Sequence, residues 1–300
     1  LSNYIALSKN IDDLKYDKKL KVAILSSFTI NGLNETLHVK CSELGIRYQS
    51  YLAGYNQYNQ ELLNSESKLY DFCPDVIFLI IDIRNLLGDS FHDAHNMSDD
   101  ERKILAKEKI TELKNLIQTF ENNSNSKLII TNLNVPSYSP NGIIEFKLKF
   151  GFHEMIEEIN NSLRQISKNN GSVYVYDFRQ FISKFGEQNI FDYRQFHLGD
   201  IQISFNFIPY LANDLMNYIK PMSGSNRKCI VLDLDNTIWG GIVGEDGFDG
   251  IELGDTPNGK AFVEFQKDLL SLWNQGIILA INSKNNVEDA MKVISEHPNM

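Results

Sequence analysis

Two aspartates stand one residue apart directly after an apolar run, in Cys229-Ile230-Val231-Leu232-Asp233-Leu234-Asp235-Asn236-Thr237. Such a run reads as a strand, so Asp233 and Asp235 fall at its carboxyl end, where α/β sheets bind ligands. Two carboxylates this close repel each other, and a bound divalent cation or a raised pKa relieves the repulsion. Mg²⁺, a hard ion that takes carboxylates, carbonyls and waters, suits the pair. The alternative for the same residues is a capped strand-to-helix turn, in which Asp235 and Asn236 satisfy backbone donors. Downstream, Glu245-Asp246-Gly247, Asp249-Gly250 and Gly254-Asp255 carry turn chemistry without the spacing of a calcium-binding loop, which predicts a compact flap. His92-Asp93-Ala94-His95 could bind a metal, but no glutamate lies between the histidines, and a solvated loop is the simpler reading. Tyr48, Tyr51, Tyr55 and Tyr58 read as packing residues, and His38 and His153, in helical patterns, pack or face solvent.

The elements that must carry these residues alternate. Strands are predicted at Lys21–Leu25, Arg47–Tyr51, Asp75–Ile81, Lys127–Asn132, Gly171–Asp177 and Lys228–Leu232, with another from Gly276. Helical patterns run over Leu33–Leu44, Gln57–Leu63, Ser98 to about Asn122, Ile143–Ser167, Phe207–Tyr218 and from Val287. Repeated β-α alternation implies α/β architecture, parallel sheets covered by helices with any site at the strands' carboxyl ends. The cluster Pro221-Met222-Ser223-Gly224-Ser225-Asn226 reads as a linker. The expected organisation is an N-terminal arm over residues 1–20, one α/β domain over 21–222 and a second over 223–300.

The 300 residues suit two domains, and 42% hydrophobic with 23% charged residues excludes wholesale disorder. A net charge of −10 makes nucleic acid and anionic membrane poor partners. Cys41, Cys73 and Cys229 are scattered, with no CxxC, which suits a reducing cytoplasm; Cys229, on a strand, is expected to be buried. No run is long and apolar enough to span a bilayer, and no signal peptide is visible. The end at Glu296-His297-Pro298-Asn299-Met300, just after a helical pattern, reads as a cut inside the second domain.

Asp233-Leu234-Asp235-Asn236-Thr237 resembles the DxDxT motif of the haloacid dehalogenase superfamily, and Trp239-Gly240-Gly241-Ile242-Val243-Gly244-Glu245-Asp246-Gly247 resembles its FkbH-like branch. The resemblance implies that Asp233 is a nucleophile forming an aspartyl-phosphate and Asp235 the general acid/base, oriented by Thr237. It implies Mg²⁺ held by the Asp233 carboxylate and the Asp235 carbonyl. Ser283, at the end of the next strand, matches the second motif, giving a phosphate site of Asp233, Leu234, Asp235, Ser283 and Lys284. The superfamily's lysine and further acidic ligands are expected beyond Met300. The implied activity is a Mg²⁺-dependent phosphatase or phosphotransferase acting on a small phosphorylated substrate. In the FkbH-like version this is a phosphorylated small acid linked to loading of an acyl carrier protein. An acyltransferase or carrier-protein-binding role is the alternative.

Leu25-Ser26-Ser27-Phe28-Thr29 resembles the first block of SGNH hydrolases, with Ser26 and Leu25 standing where that family carries Asp and Gly. The resemblance implies a SGNH/flavodoxin-like N-terminal domain with a candidate esterase site of Ser27, Gly54, Asn85 and His197, the last following Asp192. FkbH-like proteins resemble a fusion of such a domain to a haloacid dehalogenase-like one.

Overall fold

The computed structural model describes residues 1–12, 15–224 and 227–300. They divide into two units, Leu1–Gly224 and Ser225–Met300. The first is built on five parallel strands, β1 (Lys18–Ser26), β2 (Ile46–Leu52), β3 (Val76–Ile80), β4 (Lys127–Thr131) and β5 (Val173–Tyr176), in the order β2-β1-β3-β4-β5. That order is the flavodoxin-like doubly wound one, whose switch point lies between β1 and β3.

Side chains alternate across the sheet, and both faces are covered. Ala23, Leu25, Ile77, Leu79, Leu128 and Ile130 enter one apolar layer with helices Asp99–Asn123 and Phe152–Lys168. Val22, Ile24, Val76, Phe78, Ile80 and Ile129 enter the other with helices Leu33–Glu43, Phe178–Phe185 and Ile208–Met222. Burial on both faces explains why β3, Val-Ile-Phe-Leu-Ile, is continuously apolar. Ser98 caps the long helix in a reciprocal capping box with Glu101.

Three expectations change. The arm holds helix Ser2–Ser8, and β1 begins already at Lys18. The helix expected over Ile143–Ser167 is broken into a 3₁₀ turn, Gly142–Lys147, and a helix from Phe152. Pro221 and Met222 belong to the end of helix Ile208–Met222, while Ser225 and Asn226 of the expected linker lie outside the described residues.

The second unit pairs β6 (Cys229–Leu232) in parallel with β7 (Ile278–Ile281). Helix Pro257–Asn274, which lies outside the predicted elements, connects the flap to β7, and helix Val287–Glu296 follows it. Ile230, Leu232 and Leu279 pack against a small core around Trp239, Leu269 and Val293. Val231, Ile278 and Ile281 are exposed. Cys229 is also exposed, against expectation, because it shares with Val231 the face of β6 opposite the core-facing Ile230 and Leu232. The flap is a short helix, Val243–Asp246, followed by turns and tied by an antiparallel bridge between Gly240 and Glu252.

Candidate active site

Leu232 pairs with Ile281, so Asp233 and Ser283 leave the sheet at the same carboxyl edge. The Asn282 N–H donates to the Leu232 carbonyl at 2.8 Å and prolongs the ladder by one step. Oδ1 of Asp233 accepts from the Leu234 N–H at 2.8 Å, while Oδ2 has no hydrogen-bond partner among the described residues. Oδ1 of Asp235 accepts three donors: the Trp239 indole N–H at 3.0 Å, the Val243 N–H at 3.2 Å and the Asn285 amide at 2.8 Å. The Ser283 hydroxyl donates to Asn285 Oδ1 at 2.7 Å. Lys284 is exposed.

The loop that shapes this site explains its residues. Asn236 takes a left-handed conformation, φ 56°, and its Oδ1 accepts from the Gly241 N–H at 3.0 Å. Gly241 itself is left-handed, φ 88°, and a Cβ there would lie 2.7 Å from Asp246 Oδ2. A Cβ on Gly240 would lie 2.9 Å from both Glu252 and Phe262. Trp239 is fully buried, so its indole has one polar outlet, and Asp235 is that outlet. The Thr237 N–H donates to Leu234 O at 3.1 Å, and among the described residues the groups that hydrogen-bond the Asp235 carboxylate are Trp239, Val243 and Asn285 rather than the Thr237 hydroxyl.

In the first unit a second polar cluster forms at the carboxyl ends of β1 and β3. Ser27 is wholly buried. Its Oγ accepts from the Asp82 N–H at 2.9 Å and donates to Asn85 Oδ1 at 3.3 Å. The Asn85 amide donates to Asp200 Oδ2 at 3.3 Å, and Gln202 donates to Asp200 Oδ1 at 3.0 Å. The Tyr55 hydroxyl donates to Asp200 Oδ2 at 2.7 Å, and that bond raises the pKa of Tyr55. Asp200 is left-handed, φ 49°. Burial raises the Asp82 carboxyl to about 6, against the Arg84 backbone donor and the Arg84 charge, which lower it.

The fold thus brings Ser27 and Asn85 together, as the hydrolase resemblance implied, but not the rest of that set. His197 is exposed on helix Tyr193–Gly199, and among the described residues no histidine hydrogen-bonds Ser27. Asp192 caps the same helix by accepting from the Arg194 and Gln195 N–H groups. Gly54 accepts the Gln57 N–H through its carbonyl and lines a different hollow, beside Ser26 and Thr29. Asp200 and Gln202 extend the network from Asn85, and among the described residues the hydrogen-bond partners of the Ser27 hydroxyl are Asn85 and the Asp82 N–H. Tyr55, read from sequence as packing, belongs to this network. His95, read from sequence as part of a solvated loop, is half-buried instead, with its ring 4.1 Å from that of Phe152.

The sequence profile described as FkbH, N-terminal domain, matches residues 21–220. The chain belongs to the FkbH family. No curated protein matches it. Among solved structures, this FkbH-family chain is similar to the N-terminal part of the protein BF1531 from Bacteroides fragilis, described as containing a phosphatase domain and complexed with Mg. The two share 26% identity over 99% of this chain and 77% of the other, with a TM-score of 0.86. A lipase from a goat rumen metagenome is 12% identical over 69% of this chain and 99% of its own, at a TM-score of 0.47.

The BF1531 fragment makes Mg²⁺ the metal against which to test the FkbH-family site. Asp233 and Asp235 supply hard oxygen donors, and Asp233 Oδ2 has no hydrogen-bond partner among the described residues. The residues fit as part of a shell. Among the described residues no three acidic, histidine or cysteine side chains gather to hold an ion, so water or further ligands would complete the coordination. Sequence reasoning missed Asn285, whose signal is a side-chain amide two residues after the strand-end Ser283. It also missed Asp82, Asp200 and Gln202, which only the fold brings to Ser27.

Proposed function

We propose that this FkbH-family chain is a phosphatase or phosphotransferase that works through an aspartyl-phosphate on Asp233, with Mg²⁺ as cofactor. The observation that carries the reading is the pair of strand-end aspartates: Asp233, whose Oδ2 has no partner among the described residues, and Asp235, hydrogen-bonded by Asn285 from the loop that carries Ser283. The likeness to a Mg-complexed fragment containing a phosphatase domain supports it. Asp233 attacks the phosphorus of a small phosphate ester as the ester P–O bond breaks, and Asp235 gives its proton to the departing oxygen. Asp235 then takes a proton from water, whose oxygen attacks the phosphoaspartate, releasing inorganic phosphate and restoring Asp233. Mg²⁺, when bound, screens the repulsion between the Asp233 carboxylate and the phosphate. Ser283, Lys284 and the Leu234 backbone are the phosphate-binding groups of this reading.

The finer reading is a phosphorylated small acid whose turnover is linked to loading an acyl carrier protein in the cytoplasm. Family membership supports the link, and the free, exposed Cys73 and Cys229 suit a reducing compartment. Among the described residues no helix is long and apolar enough to cross a membrane. The test is phosphate release from p-nitrophenyl phosphate by the full chain with Mg²⁺. Asp233→Asn should abolish it and chelation should suppress it; turnover unchanged in the variant would refute the reading. Intact-mass spectrometry of a carrier protein incubated with the chain and an acyl phosphate tests the carrier link.

A further inference from the structure

Asp235 Oδ1 has three donors, and two of them, Trp239 and Val243, come from its own loop. The third, the Asn285 amide, crosses from the loop after β7 and joins residues 50 apart. The orientation of that amide is fixed by chemistry. A carboxylate accepts hydrogen bonds, so the NH₂ group must face Asp235, which leaves Oδ1 of Asn285 to accept the Ser283 hydroxyl at 2.7 Å. The Asn285 N–H in turn reaches Ser283 Oγ at 3.4 Å. One side chain therefore reads both loops at once.

We infer that Asn285 is a positioning residue that locks the Asp235 carboxylate and pre-sets the Ser283 hydroxyl, tying the acid/base to the phosphate site. The inference rests on the phosphatase reading for its catalytic meaning, but the hydrogen bonds exist without it. With Oδ1 held by three donors, Oδ2 is the oxygen left to exchange a proton with the leaving group or water. Losing the Asn285 donor leaves the carboxylate held from its own loop alone, by Trp239 and Val243, and untied from Ser283, which disturbs proton transfer more than substrate binding. A phosphate that draws the Ser283 proton away from Asn285 leaves the amide on Asp235 in place.

Two variants separate the halves of the side chain. Asn285→Asp keeps an acceptor for Ser283 and replaces the donor to Asp235; Asn285→Ala removes both. With p-nitrophenyl phosphate and Mg²⁺, both should lower kcat by about 10- to 100-fold. KM should change less than about threefold in Asn285→Asp and rise further in Asn285→Ala. A readout independent of turnover uses the two tryptophans, Trp239 and Trp273. In ¹H–¹⁵N spectra of the full chain without substrate, both variants should shift the indole signal of Trp239, while that of the exposed Trp273 stays. An unmoved Trp239 signal with unchanged kcat in Asn285→Asp overturns the inference. A shifted signal in a chain whose wild type releases no phosphate leaves the positioning role standing and sinks the phosphatase reading instead.

Discussion

Asp82 is half-buried at the carboxyl end of β3, where it caps the short helix Ile83–Leu87 and faces Arg84 on that helix and Asp200 and Gln202 from the loop after Tyr193–Gly199. Desolvation raises its folded pKa from 3.8 to about 6, so the folded chain holds the proton more tightly than the unfolded one. Its contribution is then fully present below about pH 3.8 and is lost as pH rises through about 6, a swing on the order of 3 kcal/mol. Asp82→Asn keeps an acceptor for the Arg84 N–H and should remove that part of the pH dependence. Denaturant midpoints of the two proteins should converge near pH 4 and separate by pH 7, with the variant the more stable. At the other site, Trp239→Phe removes one donor from Asp235 and shrinks a fully buried ring. It should cost roughly 1–3 kcal/mol and lower kcat for p-nitrophenyl phosphate more than it changes KM. Asp233 and Asp235 were legible because strand, acids and turn are contiguous in the chain. Asn285, Asp200 and Tyr55 were not, because each meets its partner only after strands far apart in sequence have paired.

The strands were the most legible elements, since β1, β3 and β4 are apolar on both faces and stand out from their surroundings. The segment between β4 and β5 was the least. Ile143, Ile144 and Phe146 continue the apolar spacing of the helix that follows, yet they are exposed and the turn Gly142–Lys147 is anchored instead by a charge. Glu145 is buried and accepts from the Ser139 hydroxyl at 2.6 Å, the Asn141 amide at 2.9 Å and the His153 N–H at 2.9 Å. Burial raises its carboxyl, but these donors outweigh it and hold the group down at about 2. A Cβ on Gly151 would lie 2.5 Å from Glu145 Oε1, which is why the helix begins after a glycine. Periodicity scores an apolar stripe and is blind to an acid turned inward. Glu145→Ala leaves three donors unmatched and should cost about 2 kcal/mol, with faster proteolysis between Tyr138 and Phe150 under limiting protease.

The two units differ in how much apolar surface they bury. Leu1–Gly224 covers both faces of a five-stranded sheet. Ser225–Met300 has a two-stranded sheet, a small core, and Val231, Ile278, Ile281 and Trp273 exposed. A unit of that size with one covered sheet face gains little from burial against its conformational entropy. It should therefore unfold first. Both tryptophans, Trp239 and Trp273, lie in this second unit, so tryptophan fluorescence reports on it alone. Far-UV circular dichroism is dominated by the first unit, which holds most of the helices and strands. On heating the full chain, the fluorescence transition should precede the dichroism transition, and a fragment of residues 1–224 should reproduce the later one. Mg²⁺ with a phosphate mimic such as beryllofluoride should raise only the fluorescence midpoint, since a ligand stabilises the unit that binds it. A single transition by both probes would show that the units fold as one, and a ligand shift confined to the dichroism signal would place the binding site with Ser27 rather than Asp233.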